Sequence, residues 1–150
     1  MTLRQTNAAP PPLPESARPL LDRLFSGEFL GASRNMRQIN DLFCAMADAW
    51  EGSAEDLIKT LLATGDFLAV TRGRNTPAIG NAIRLVLNGL DEIASSRVAD
   101  VRDFIHARRE AYNARSLRNV ARIAEYGASV LLGCETVLAY DYSRLVTVRW

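Results

Sequence analysis

Lysine is almost missing from this chain. Lys59 is the single lysine among 18 basic residues, and the other seventeen are arginine. Such a bias follows from genomic base composition as readily as from ligand chemistry, so it assigns no function. Net charge is only +1, which argues against a general nucleic-acid or membrane-surface binder. Histidine is reduced to His106, set among Arg102, Arg108 and Arg109. That setting reads as an exposed helix face rather than a general base, which would need a partner at hand. Cysteine is reduced to Cys44 and Cys134, ninety residues apart. This excludes a metal-spaced cluster and a disulfide framework, and predicts two reduced thiols and no metal. Aromatic residues make up 7%, too sparse along the basic stretches to suggest base stacking. No run approaches the ~18 apolar residues of a membrane span, and the N-terminus lacks an apolar signal core. The expectation is a cytoplasmic protein with no membrane partner, for which nucleic acid is an unfavoured partner.

What is present is a globular composition, 48% hydrophobic over 150 residues, enough for one domain with a core. The first residues are set apart by Pro10-Pro11-Pro12-Leu13-Pro14. Clustered prolines resist helix and sheet, so 1–17 is expected to be a flexible arm. Helical patterns then follow. A short one opens at Arg18-Pro19 and ends by Gly27. A clear one covers 33–50, with Met36, Ile39, Leu42, Phe43, Met46 and Trp50 on one face. Gly52 stops it. Ser53 caps a third, with Glu55 and Asp56 in its first turn and Leu57, Ile58, Leu61, Leu62, Phe67 and Leu68 inward. The very short turn between these two makes them antiparallel neighbours.

A long helix is expected over 96–131, with Val98, Val101, Ile105, Tyr112, Leu117, Val120, Ile123 and Ala124 as its buried side and a kink or break open near 113–116. Its arginines read as a solvated face, with a docking face for an acidic partner or RNA as the less favoured alternative. Past Gly133, residues 135–140 (Glu-Thr-Val-Leu-Ala-Tyr) read as a strand. A helix followed by a strand and a polar loop looks like the entrance to an α/β domain. The fold expected is therefore mainly α: a helical bundle over 18–132 leading into the first strand of an incomplete Rossmann-like α/β unit over 133–150.

The stretch between the third and fifth helical patterns carries the most chemistry. Arg72-Gly73-Arg74 is followed by Asn75-Thr76, an N-cap pair, and by Pro77 at a first helical position. Ile79, Ile83, Val86 and Leu90 supply the apolar period of a helix over 77–88, with Gly89 near its end. A helix N-terminus offers free N–H groups and the positive pole of the dipole, and Gly80 keeps no side chain over that first turn. The physics favours a bound anion, above all a phosphate. An ordinary capped helix with solvated arginines accounts for the same residues.

Two signatures here resemble a known family, the initiation factor 2B and sugar-phosphate isomerase superfamily. Arg72-Gly73, then Pro77-Ala78-Ile79-Gly80, is similar to the isomerases' Arg-Gly-Ala-Pro-Ala-Ile-Gly loop, with Arg74 to Thr76 standing where that loop has one alanine. Gly80-Asn81-Ala82-Ile83-Arg84 resembles the Gly-Asn-Ala-Ile-Arg run of the initiation-factor branch. The second signature is the long helix passing through Ile123-Ala124-Glu125-Tyr126-Gly127-Ala128 to Thr136-Val137-Leu138-Ala139-Tyr140-Asp141-Tyr142-Ser143. The resemblance implies a ligand site for a phosphorylated sugar or nucleotide formed by Arg72, Gly73, Arg74, Asn75, Thr76, Pro77, Ala78, Ile79, Gly80 and Arg84, with Tyr142 and Ser143 on the opposite wall. It implies a regulatory or ligand-sensing protein, in translation regulation for the initiation-factor branch, and no cofactor. The isomerases' Thr-His-Cys motif, with its catalytic cysteine, is matched by Ala139, Tyr140 and Asp141, which argues against the aldose–ketose isomerase alternative. A non-catalytic helical interaction module is the third reading, and a homo-oligomer or a partner subunit stays open.

Overall fold

Proline sits in the first turn of two helices, where its missing N–H costs nothing and its fixed φ suits the helix. Those two starts anchor the helical order. The computed structural model describes residues 10–26, 31–74, 76–93 and 97–136. After a 3-10 turn at Glu15–Ala17 come α1 (Arg18–Phe25), α2 (Ala32–Asp48), α3 (Ala54–Thr71), α4 (Pro77–Leu87) and, past a 3-10 turn at Asp91–Ile93, α5 (Val98–Leu131). The chain divides into two compact units, Met1–Glu110 and Ala111–Trp150, with α5 contributing to both.

The first unit is a bundle built around α2. Its Met36, Ile39, Leu42, Phe43 and Met46 are 1% exposed or less, and α1, α3 and α4 all pack on it. Leu24, Leu57, Leu61, Leu68, Ile83 and Val86 close the core from those neighbours. Leu13 and Ala17, inside the stretch expected as a flexible arm, are also buried. The α2–α3 turn is held as its residues suggest. Ser53 Oγ accepts the N–H of Asp56 at 3.1 Å, and Trp50 Nε1 donates to Ser53 O at 2.9 Å. Between α3 and α4 the fit is close at Gly65, where a Cβ would stand 2.4 Å from Leu87 Cδ1. Gly89, at φ +83°, turns the chain out of α4 in a conformation that disfavours other residues.

The proximal part of α5 seals the bundle. Val101 and Ile105 are fully buried. Around them Arg102 reaches the last carbonyls of α2, donating to Ala47 O and Asp48 O at 3.4 and 3.3 Å. Asp48 also receives His106 at 3.0 Å, and Arg109 meets Asp41 at 2.7 Å. Cations at a helix C-terminus oppose the negative end of its dipole. The arginines read as a solvated face are thus, in this part of α5, partners of α2. The break considered near 113–116 does not occur, since helix continues to Leu131.

The fold is mainly helical, and no strand occurs among the described residues. Glu135 and Thr136 stand outside any strand, while the remainder of the expected strand, 137–140, lies outside the described residues. Leu117 and Ile123, expected inside, are 68% and 48% exposed.

One buried group stands out. Asn40 is 1% exposed, and among the described residues neither its amide nitrogen nor its oxygen has a partner. An unpaired buried amide costs about 1–3 kcal/mol. Asn40→Ala should therefore unfold at equal or higher urea concentration than the parent, whereas Ile39→Ala, one residue away, should lose about 2–5 kcal/mol. Equal losses in the two variants would refute the unpaired amide. Along α5, Ile105→Ala should cost about 2–5 kcal/mol, and Asp48→Asn, at a half-exposed ion pair, less than about 1 kcal/mol, both read from urea midpoints.

Candidate functional site

The loop between α3 and α4 is drawn inward by its own backbone. Arg72 and Gly73 both donate to Leu68 O, at 2.8 and 3.0 Å, which ends α3. Thr76 N donates back to Gly73 O at 3.1 Å, and Ile79 N to Thr76 O at 2.8 Å, which starts α4. Gly73 is buried, and a Cβ there would lie 2.5 Å from Ala69 O. Its side chain is missing because the α3 backbone occupies the space, a reason independent of any ligand.

Arg72 faces the bundle. Its Nη2 donates to Asn35 Oδ1 at 2.8 Å, and its guanidinium carbon lies 5.7 Å from the centre of the Phe25 ring. Phe25 in turn packs against Phe67, ring centres 5.8 Å apart, and Asn35 Nδ2 donates to Gly31 O at 3.0 Å. One guanidinium thus joins the end of α1, the start of α2 and the end of α3. Part-buried hydrogen bonds with a charged donor and a cation over a ring are worth more than their exposed equivalents.

The opening of α4 is different. Thr76 occupies the N-cap position but no side chain caps the helix, and no acidic residue lies in the first turn. Pro77 and Ala78 are exposed, while Ile79 turns into the core. Nothing lies within 4 Å of a Cβ built on Gly80. Arg84, one helical turn beyond Gly80 on the same face, is exposed and has no partner among the described residues. The Cα–Cβ bond of a helical residue tilts toward the helix N-terminus, and Arg84 shares its face with Gly80 in the first turn. Of the residues singled out from the sequence, Thr76, Pro77, Ala78, Gly80 and Arg84 come together here. Arg72 and Gly73 belong to the packing beneath, and Arg74 is exposed and takes part in an interaction of its own. Asn75, Tyr142 and Ser143 lie outside the described residues.

Two features have no counterpart in the sequence reading. An open groove is lined by Pro12, Leu13 and Pro14 on one side and Trp50 and Glu51 on the other. Its ionisable side chains are Glu15 and Glu51, which makes it unsuited to a phosphate. The other is the Arg72–Asn35 pair, whose members are 37 residues apart. No group of three or more His, Cys, Asp or Glu that could hold a metal occurs among the described residues, and none of their helices is long and apolar enough to cross a membrane. Comparisons with protein-family models, with curated proteins and with solved structures find no match to this chain.

Arg72→Ala should remove the hydrogen bond to Asn35 Oδ1 and the cation from Phe25, lowering stability by about 1–3 kcal/mol. Gly73→Ala, forced against a backbone carbonyl, should lose at least as much. Thermal unfolding of both variants without any ligand checks this, and parental melting would show that the two residues are not structural.

Proposed function

We propose that this chain binds the phosphate of a small phosphorylated molecule, a sugar phosphate or a nucleotide, at the first turn of α4. In this reading it is a regulatory or ligand-sensing protein of the initiation factor 2B-like kind, without catalysis of its own. The observation that carries the proposal is that α4 opens with no side-chain cap, no carboxylate in its first turn and clear space over Gly80. The amides of Ala78 and Gly80 and the positive pole of the dipole would meet the anion, and Arg84 would add a charge-assisted hydrogen bond. Arg72 holds the loop rather than the ligand. The resemblance at Pro77-Ala78-Ile79-Gly80 and at Gly80 to Arg84 adds the substrate class. Against an isomerase stands Asp141 at the position of the family's catalytic cysteine.

Titration with ribose 5-phosphate and with inorganic phosphate, followed by amide NMR, tests this. Saturable shifts are expected at Ala78, Ile79 and Gly80. Arg84→Ala should weaken binding about tenfold, equivalent to ~1.4 kcal/mol, with no change in melting temperature. Gly80→Ala should keep or raise stability, since its Cβ meets open space and alanine favours helix, yet still impair binding. Shifts that never saturate, or binding indifferent to both substitutions, would overturn the assignment.

A further inference from the structure

Arginines on the proximal part of α5 are engaged within the bundle, Arg102 with Asp48 and Arg109 with Asp41. Arg108 donates to Asn88 O at 2.8 Å. Farther along the helix the pattern changes. Arg115, Arg118 and Arg122 recur at helical spacing on one exposed face, and among the described residues none of them pairs with a carboxylate. The same face continues into Ile123, Tyr126 and Val130, which are 48%, 62% and 76% exposed. Arg122 joins the two halves, its guanidinium carbon 5.9 Å from the centre of the Tyr126 ring. Val120, Ala124, Gly127 and Leu131, all half-buried, lie on the other side of the helix. Large apolar side chains left in water beside a polar rim mark a protein-binding surface. Three successive guanidiniums without a counter-charge add a field of one sign.

We propose that this face of α5, from Arg115 to Val130, docks an acidic amphipathic helix of a partner protein. Carboxylates at helical spacing on one half of the partner meet Arg115, Arg118 and Arg122. Apolar residues on its other half pack on Ile123, Tyr126 and Val130. Charge selects this occupant. A guanidinium takes a carboxylate through two parallel hydrogen bonds, and Glu125, at the edge of the face, pairs with none of the three. A second copy presenting the same face brings arginines and no carboxylates to meet them, so self-pairing sets like charge on like charge or on apolar side chains. A nucleic-acid strand would use the arginines but not Ile123 or Val130, and Tyr126 is the only ring among these six residues on which a base could stack. The face rises about 22 Å at ~1.5 Å per residue, which suits a partner helix of about four turns. Contact along one side of one helix is small, so the complex is a transient one.

The test uses the full chain and a labelled synthetic helical peptide of about 18 residues. The peptide carries Glu on successive turns of its N-terminal half and Leu on the same face of its C-terminal half, and binding is followed by fluorescence anisotropy. Saturable binding is expected. The double variant Arg118→Glu with Arg122→Glu should weaken it at least about tenfold, and should instead bind the same peptide with Lys in place of Glu, which the parent does not. Ile123→Ser should weaken binding of the Glu peptide by about tenfold with the arginines intact. Arg34→Glu with Arg37→Glu, exposed positions of α2, changes net charge equally and should leave binding unchanged. All these side chains are exposed, so the variants should melt with the parent. Failure of the Glu peptide to saturate, equal binding of the Glu and Lys peptides by the parent, or indifference to Ile123→Ser would overturn the proposal. Tighter binding of an oligouridylate than of the peptide would overturn it too, and would assign the face to RNA.

Discussion

The burial of α2 on most of its circumference is the constraint from which the bundle follows. A helix whose apolar residues occupy several faces must be surrounded, and α1, α3 and α4 are the surrounding elements. Its two ends are then fastened by cations from elsewhere in the chain. Arg72 meets Asn35 near the first turn, and Arg102 and His106 meet Asp48 at the last. The two fastenings differ in weight. The groups at Asp48 are between about a third and a half exposed, and such pairs contribute about 0–1 kcal/mol. What holds α5 there is the burial of Val101 and Ile105, each worth about 1.5–3 kcal/mol.

The helices were legible because their signals are local. Periodic apolar residues, Ser53 ahead of Glu55 and Asp56, Pro77 at a first position and Gly89 past a last one act within a few residues of themselves. What was not legible lies in pairs distant along the chain. Arg102 and His106 find Asp48 over more than fifty positions, and Arg109 finds Asp41. A pattern of arginines on one helix carries no record of those partners, so solvation was the natural reading. Leu117 and Ile123 fail in the opposite direction. A helical period identifies which side of α5 is apolar, and says nothing about whether a described neighbour covers it.

The α3–α4 loop was legible as a helix start with spare positive potential. The division of labour inside it was not. Gly73 and Gly80 look alike in sequence, yet one is small because a carbonyl stands 2.5 Å from the absent Cβ and the other borders open space. Likewise Arg72 and Arg84 carry the same charge, but one is held by Asn35 and Phe25 and the other is exposed. The sequence offered the pair Asn75-Thr76 as N-cap; Thr76 takes the position, but its side chain does not cap, which leaves the first turn uncommitted.

The two thiols of the chain differ in a way that bears on handling the protein. Cys44 is buried in α2, and desolvation pushes its pKa up to about 11. Cys134 is exposed just past the end of α5. Because the thiolate is the reacting form, an alkylating dye or spin label at neutral pH partitions to Cys134. The unaltered polypeptide thus carries one addressable attachment point, just past the end of α5, with no cysteine to introduce or remove.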